Sequence, residues 1–426
     1  MSNCSIVGIL DKDGYSQTKL YRSLGDISSI EVVRLNYYGS EYSLPKNVDI
    51  ILTAQHYEEP EVGLIIKAVR QDIPVLILAD GILEFRNTWH NPLMSAGRLF
   101  QPVLGHKIAT IGRSQTRILE SWGNLGKCET VGLPRLDSYL NRRPRIRRPS
   151  EPFKVLVTTA KKPGFTNEQV DQVKQSLLDL QKWFNHNPVV EGMEVNPVWR
   201  LTEGLDIELG VRSQIADLSG QELSAVLEKV DALITTPSTS MLEGMLQGIP
   251  VALLDYTNSP HFVPAAWSIT CSSHIPSILK EIVQQPATRM LYQDTILHDA
   301  LECRSPSIDR LQTLISRMVD ISRRQKLEGK ELVFPDKILW KRDSEFHFPE
   351  ERFNMKTLFP EHPTFSQMDT LKLQVEIEHL KRWQLQSEDK MKDLKIALEG
   401  MQSSRFWQLR EKWLALKRLL RFVKYQ

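Results

Sequence analysis

The stretch "DALITTPSTSMLEGMLQGIPVALLDY" runs from Asp231 to Tyr256. An apolar run, Asp231–Thr236, climbs into the hydroxyl cluster Thr235–Ser240, with Pro237 inside it. A short amphipathic segment follows, and a second apolar run, Pro250–Asp255, closes the stretch. Both apolar runs are short and bounded by Asp, Gly or Pro, so they read as buried strands. The segment between them reads as a helix that begins near Ser240. Strand, loop, helix and strand in this order form the unit of a parallel sheet covered on both faces.

The same alternation fills most of the chain. Strands are expected at Ser5–Leu10, Ile30–Leu35, Asp49–Ala54, Pro74–Ala79 and Lys107–Gly112, with helices at Glu61–Gln71 and Ser114–Trp122. "NRRPRIRRPSEP" (Asn141–Pro152) holds five arginines and three prolines and almost nothing apolar, so it reads as a linker. The alternation then restarts with strands at Lys154–Ala160, Asn196–Thr202, Asp231–Thr236, Pro250–Asp255 and Trp267–Ser273 and a helix at Glu168–Phe184. Helical segments continue to about Arg324. The expected fold is α/β, with two Rossmann-like parallel-sheet domains (residues 1–140 and 153–329) facing a cleft. An irregular connector follows at 330–367. Heptad spacing predicts a helical or coiled-coil segment over 368–402, and 403–426 reads as a basic amphipathic helix.

Bulk properties bound the function. The 426 residues suffice for two domains and an appendage, and 41% hydrophobic with 25% charged residues is an ordinary globular balance. A net charge of +2 excludes nothing by itself. Cys4, Cys128, Cys271 and Cys303 form no C-x-x-C pair, which signals neither a zinc ribbon nor a redox motif and fits a reducing cytosol. The amino terminus lacks the pattern of a secretory signal, and no apolar run reaches bilayer length. The expected location is cytoplasmic, with the tail peripheral at the inner face of the membrane.

In open α/β sheets, ligands bind beyond the carboxyl ends of the strands. That rule selects Asp11, Asp13, His56, Asp80 and Gly81 in the first domain. In the second it selects Lys161, Lys162, Arg200 and the Thr235–Ser240 cluster. Free N–H groups at a helix start, with the positive end of its dipole, suit an anion. Ser238, Thr239 and Ser240 would add hydroxyls to a phosphate, and Glu243, one turn in, would accept from ribose hydroxyls. The competing reading is a capping box, with Ser240 as cap and Glu243 three residues on. Asp11 and Asp13 read as a turn.

"ITTPSTSMLEGMLQGIPVALLDY" resembles the nucleotide-binding motif of GT-B fold glycosyltransferases and of UDP-N-acetylglucosamine 2-epimerases. Those families carry a hydroxyl- or glycine-rich loop, an acidic residue one turn into the helix, and Gly-x-Pro, here Gly248–Pro250. "VGLPRLDSY" (Val131–Tyr139) is similar to the Gly-x-Pro-x-x-Asp segment that closes the first domain in epimerases and teichoic-acid-type polymerases. "ADGILEFRNTW" (Ala79–Trp89) sits where the latter keep an acceptor-side loop. The resemblance implies donor diphosphate on Ser238, Thr239 and Ser240, ribose on Glu243, and no metal or other cofactor. The basic-x-His-Pro segment of many relatives is absent, and "VWRLTEG" (Val198–Gly204) offers only Arg200.

The reaction class this suggests is transfer of a sugar from a nucleotide-activated donor to an envelope polysaccharide or glycolipid acceptor. Asp80 or His56 would take the acceptor proton, Lys161 and Lys162 would stabilise the leaving diphosphate, and Glu84, Arg86 and Asn87 would orient the acceptor. Alternatives are CDP-polyol phosphate transfer, 2-epimerisation of a UDP-sugar, and a catalytically silent scaffold. The expected partners are a nucleotide-sugar donor and a glycan or lipid-linked acceptor, with oligomerisation through 368–402. The tail "SSRFWQLREKWLALKRLLRFVKYQ" (Ser403–Gln426) carries seven Lys/Arg against one Glu, which suits an anionic membrane surface. No recognised nucleic-acid-binding motif is present.

Overall fold

The computed structural model describes residues 5–10, 24, 30–35, 44, 47–54, 56–57, 61–92, 94, 99–140, 151–211, 221–339, 358 and 368–422. Asp11, Asp13 and residues 141–150 of the linker lie outside the described residues. Residues 1–347 form one compact unit and 348–426 a second.

The first sheet contains β1 (Ser5–Leu10), β2 (Ile30–Leu35), β3 (Ile50–Thr53), β4 (Val75–Leu78), β5 (Lys107–Thr110) and β6 (Cys128–Thr130). The second contains β7 (Phe153–Thr158), β8 (Val189–Val190), β9 (Met193–Arg200), β10 (Ala232–Thr235), β11 (Val251–Leu254) and β12 (Trp267–Ile269). The expected strand Trp267–Ser273 is shorter than the sequence suggested, because Ser272–His274 turns into a 3-10 helix.

Strand order is β2-β1-β3-β4-β5-β6 in the first sheet and β12-β11-β10-β7-β9-β8 in the second. All pairings are parallel except the β8–β9 hairpin. Leaving β8 aside, the second sheet repeats the winding of the first, with a reversal between β7 and β10 as between β1 and β3. Ligand crevices form at such switch points.

The helices are α1 (Glu61–Arg70), α2 (Phe85–Trp89), α3 (Arg113–Ser121), α4 (Asn167–His186), α5 (Leu205–Glu208), α6 (Leu223–Leu227), α7 (Ser240–Gln247), α8 (Ile275–Gln284), α9 (Ala287–Ala300) and α10 (Ser307–Leu327). Helix α7 ends at Gln247, because Gly248 takes the left-handed conformation (φ +77°) that favours glycine after a helix.

Residues alternate between the faces of the second sheet. Val155, Val157, Ile234 and Leu254 join one core, and Leu156, Leu233 and Leu253 join another. The second of these cores also holds Ala79, Ile111, Leu133, Leu136 and Tyr139 of the first half. The two halves therefore meet through continuous apolar packing and not only through loops.

Helix α10 departs from the sequence-based domain boundary. Its buried Leu311, Leu314, Ile315, Met318 and Val319 recur at helical spacing and pack on Val7, Ile9, Ile50, Leu52, Leu76 and Leu78 of the first sheet. Each such burial contributes about 1.5–3 kcal/mol. Asp137 fixes the crossing, accepting hydrogen bonds from the Ser307 N–H (2.8 Å) and the Ile308 N–H (3.0 Å). The aspartate of the Gly-x-Pro-x-x-Asp segment thus caps a helix 170 residues away in sequence. The start of the expected connector continues onto the same half. Residues 335–339 run as a strap over β5 and β6, and Ile338 is buried in the first-sheet core.

The second unit contains α11 (Met368–Ser403) and α12 (Arg405–Phe422). Ser404 separates them, its hydroxyl accepting from the Trp407 N–H at 3.3 Å. Along α11 the heptad residues Ile377, Leu380, Met391, Leu394, Leu398 and Met401 are exposed. On α12, Leu409, Trp413 and Leu416 are exposed, with Lys417 over the Trp413 ring at 4.6 Å. No described helix is long and apolar enough to cross a membrane.

Candidate functional site

The carboxyl ends of β4, β7, β10 and β11 deliver four loops to a seam between the two halves. The loop after β10 carries Thr236, Ser238 and Thr239 into α7. The expected capping box does not form. Ser240 is the first residue of the helix, and Thr239 precedes it without a side-chain cap bond. The Ser240 hydroxyl lies 3.0 Å from the Thr235 hydroxyl, and the Ser238 hydroxyl accepts from the Ser240 N–H at 3.3 Å. Pro237 directly before this turn and a 3-10-like first turn, closed by Met241 N–H to Ser238 O, remove the geometry a capping box needs.

Glu243 turns away from its own helix start. The Tyr139 hydroxyl donates to Oε2 at 2.7 Å and the Arg135 guanidinium to Oε1 at 3.3 Å. Arg135 also donates to the Asp80 carbonyl at 3.3 Å. The closing segment of the first domain therefore grips the carboxylate expected to hold a ribose. Sequence reasoning found the segment by its Gly-x-Pro-x-x-Asp spacing but missed Arg135 and Tyr139 as contacts, because spacing carries no information on which helix lies opposite.

The loop after β4 presses on the hydroxyl loop. The Ile82 N–H donates to the Thr239 hydroxyl at 3.2 Å. A Cβ at Gly81 would collide with that same hydroxyl, so only glycine permits this approach. Asp80 itself is exposed to solvent. Enough protein surrounds it that desolvation pushes its carboxyl above the usual carboxylate range, with Arg135 acting in the opposite direction.

His56 does not reach the seam surface as a proton acceptor must. It is buried at 2% exposure, its ring stacked 4.5 Å from Phe100, and both nitrogens are enclosed without a hydrogen-bond partner among the described residues. Burial pulls its pKa down to about 4.

Glu84, Arg86 and Asn87 build the loop that bears them. Glu84 caps α2, accepting from the Asn87 N–H at 2.9 Å, and pairs with Arg86. The Asn87 side chain accepts from Asn91 at 2.8 Å. Arg86 is fully buried and reaches across the seam, donating to the Pro163 carbonyl at 3.1 Å and approaching Asp255 at 3.9 Å. His90 and Gln169 add another link across it at 2.7 Å.

Lys161 and Lys162 are exposed in the loop after β7, with Lys162 over the Phe165 ring at 5.4 Å. Arg200 ends β9, in register with Thr158, and its Nη1 is enclosed without a hydrogen-bond partner among the described residues. Hydroxyl loop, lysine loop and Arg200 thus share the carboxyl edge of the second sheet around its switch point. Among the described residues, no three His, Cys, Asp or Glu side chains converge as metal ligands do.

The chain matches no protein-family model and no curated protein. Solved structures do resemble it. A protein described as a UDP-N-acetylglucosamine 2-epimerase of Listeria monocytogenes superposes with a TM-score of 0.51 at 10% identity, over 78% of this chain and 100% of that one. The Neisseria meningitidis UDP-GlcNAc 2-epimerase bound to UDP-GlcNAc gives 0.49 at 13% identity, over 73% and 100%. The wall teichoic acid polymerase TagF gives 0.46 at 14% identity, over 76% and 89%. With two like-wound parallel sheets meeting at their carboxyl edges and helix α10 returning to the first, the chain has a GT-B-like fold.

Proposed function

We propose that the chain binds a nucleotide-activated sugar at the carboxyl edge of the second sheet and transfers the sugar to a glycan or lipid-linked acceptor. In this reading Ser238, Thr239 and Ser240 face the diphosphate and Glu243 takes the ribose hydroxyls. Lys161, Lys162 and Arg200 supply positive charge toward the leaving diphosphate. Asp80 lies on the acceptor side. The reaction uses no metal or other cofactor. One observation carries the reading: Glu243 points into the seam and does not cap its own helix. A capping role would have turned it the other way.

Donor binding would then displace Tyr139 and Arg135 from Glu243. Titration calorimetry with UDP, GDP and CDP tests this. UDP or GDP binding supports a sugar donor, and CDP binding points to polyol phosphate transfer. Glu243→Ala should weaken binding by roughly 10- to 100-fold, the worth of charge-assisted hydrogen bonds. Full affinity in that variant refutes the ribose assignment, and silence toward every nucleotide refutes the enzyme.

A second reading has an observation of its own. Thr239 is bonded to Ile82 and Glu243 to Tyr139 and Arg135, so two groups of the donor loop already serve the seam. That stitching favours a catalytically silent scaffold, and the same calorimetry separates the two. In either case we place the chain in the cytoplasm, with Ser403–Gln426 on an anionic membrane surface and 368–402 as an oligomerisation helix. Flotation with anionic vesicles, before and after truncation at Ser403, tests the anchor, and unchanged binding removes it.

A further inference from the structure

The loop after β11 holds a histidine–carboxylate pair that the proposed reaction has not used. Asp255 follows β11 directly and is buried at 1% exposure. One oxygen, Oδ1, is fixed by the Thr257 N–H (3.0 Å) and the Thr257 hydroxyl (2.6 Å). The other, Oδ2, lies 3.2 Å from His261 Nε2, close enough for an ion pair but off the line of a good hydrogen bond. Reactive hydrogen bonds are often long or misaligned in unliganded sites and tighten with substrate.

The pair is held at the seam from both sides. Arg86, from the first half, stands 3.9 Å from Asp255, with Glu84 behind it. Phe262, next to His261, packs against Phe85 (6.2 Å) and Trp122 (5.6 Å) of the first half. The loop is therefore anchored one residue away from a histidine that keeps 22% of its side chain exposed. Its Nδ1 has no hydrogen-bond partner among the described residues.

This is the arrangement an orienting carboxylate gives a base. Once substrate aligns Nε2–H with Asp255 Oδ2, 3.2 Å away, the Nδ1 lone pair is the free one. Burial lowers the His261 pKa, with Asp255 raising it, Arg86 lowering it and Glu84 raising it. The ring is thus neutral at neutral pH. Neither earlier candidate matches it: His56 is enclosed, and among the described residues no side chain hydrogen-bonds the Asp80 carboxylate, which feels Arg135 only through its charge.

We propose that His261, oriented by Asp255, takes the proton from the acceptor hydroxyl. The inference rests on the transfer reading above. The acceptor oxygen bonds to the anomeric carbon, and its proton passes to His261 Nδ1. The bond from that carbon to the donor diphosphate breaks, and the nucleoside diphosphate leaves with the electron pair. Asp255 is a positioning residue.

The test uses the full chain and whichever of UDP-GlcNAc, UDP-glucose and GDP-mannose binds by calorimetry, with release of nucleoside diphosphate to water followed from pH 5 to 9. His261→Gln should keep donor affinity within about 2-fold and lose at least about 100-fold in rate, the usual share of a general base. Asp255→Asn should keep affinity and shift the acid limb of the pH profile. Unchanged rate in His261→Gln overturns the proposal. So does a large loss confined to Asp80→Asn, which assigns the proton to that carboxylate, or donor binding with no release by the wild-type chain. Absence of donor binding in the wild type instead defeats the transfer reading itself.

Discussion

Lys107 and Arg86 are both fully enclosed cations of the first half, and their surroundings differ in kind. Lys107 stands at the amino end of β5 under the strap of residues 335–339. Its ammonium donates to the carbonyls of Gly126 (2.6 Å), Pro335 (2.6 Å) and Asp336 (3.0 Å) and pairs with Glu129 at 3.1 Å. Glu129 in turn accepts from the N–H groups of Ile338 and Leu339. Both members of the pair are thus fully engaged, although desolvation lowers the Lys107 pKa. Arg86, at the opposite edge, meets a carboxylate with one unaligned oxygen and a histidine with one open nitrogen. A saturated cluster closes a chain segment down, whereas an unsaturated one keeps atoms available for something else.

That contrast can be broken by measurement, starting with the largest effect. Lys107→Ala leaves Glu129 as an uncompensated buried charge and should cost about 3–5 kcal/mol in chemical denaturation. Asp255→Asn, at the seam, should cost less than half as much. Equal losses would erase the distinction between the two clusters.

The second effect concerns pH. His56 is held near pKa 4 in the fold and returns to about 6.5 when unfolded. Below 6.5 the unfolded chain binds the extra proton, so this stability is lost as pH falls toward 4. At pH 5 the loss is about 2 kcal/mol. His56→Leu should remove that part of the acid sensitivity, leaving the part due to His106, which burial also lowers to about 4. An unchanged pH slope would mean that His56 is solvated.

Tyr139→Phe removes the 2.7 Å bond to Glu243 and should cost about 1 kcal/mol in stability. On the proposed donor reading, nucleotide affinity should rise in the same variant, because donor and tyrosine would compete for one carboxylate. A fall in affinity would place Tyr139 among the donor's own contacts. The smallest effect is expected at the exposed pair Arg117–Asp299, which also bridges the halves at 2.6 Å. Arg117→Ala should change stability by less than about 1 kcal/mol, because solvent screens the pair.

Much of the fold was legible from local pattern. The runs at Ser5–Leu10, Asp231–Thr236 and Pro250–Asp255 read as buried strands because both faces of a parallel sheet demand apolar residues. The candidate site was legible only as a set of loops. Carboxyl ends of strands could be counted along the chain, but His56 and Asp80 look alike at that level, and packing alone put one under Phe100 and the other in water. His261 gave no signal, since a lone histidine in "DYTNSPHF" (Asp255–Phe262) has no spacing that marks a base.

By itself the sequence determined two α/β repeats, a hydroxyl loop before an acidic helix turn, and a basic helical tail. These depend on neighbours a few residues apart, where steric and periodic rules act. Tertiary structure alone decided that Glu243 faces Tyr139 rather than its own helix start. It also decided that α10 returns to the first sheet under an Asp137 cap, and that Asp255, Arg86 and His261 meet. Each of these depends on a contact between residues a hundred or more positions apart, such as Arg86 with Asp255, and a periodic apolar face tells a helix to be buried without telling it where.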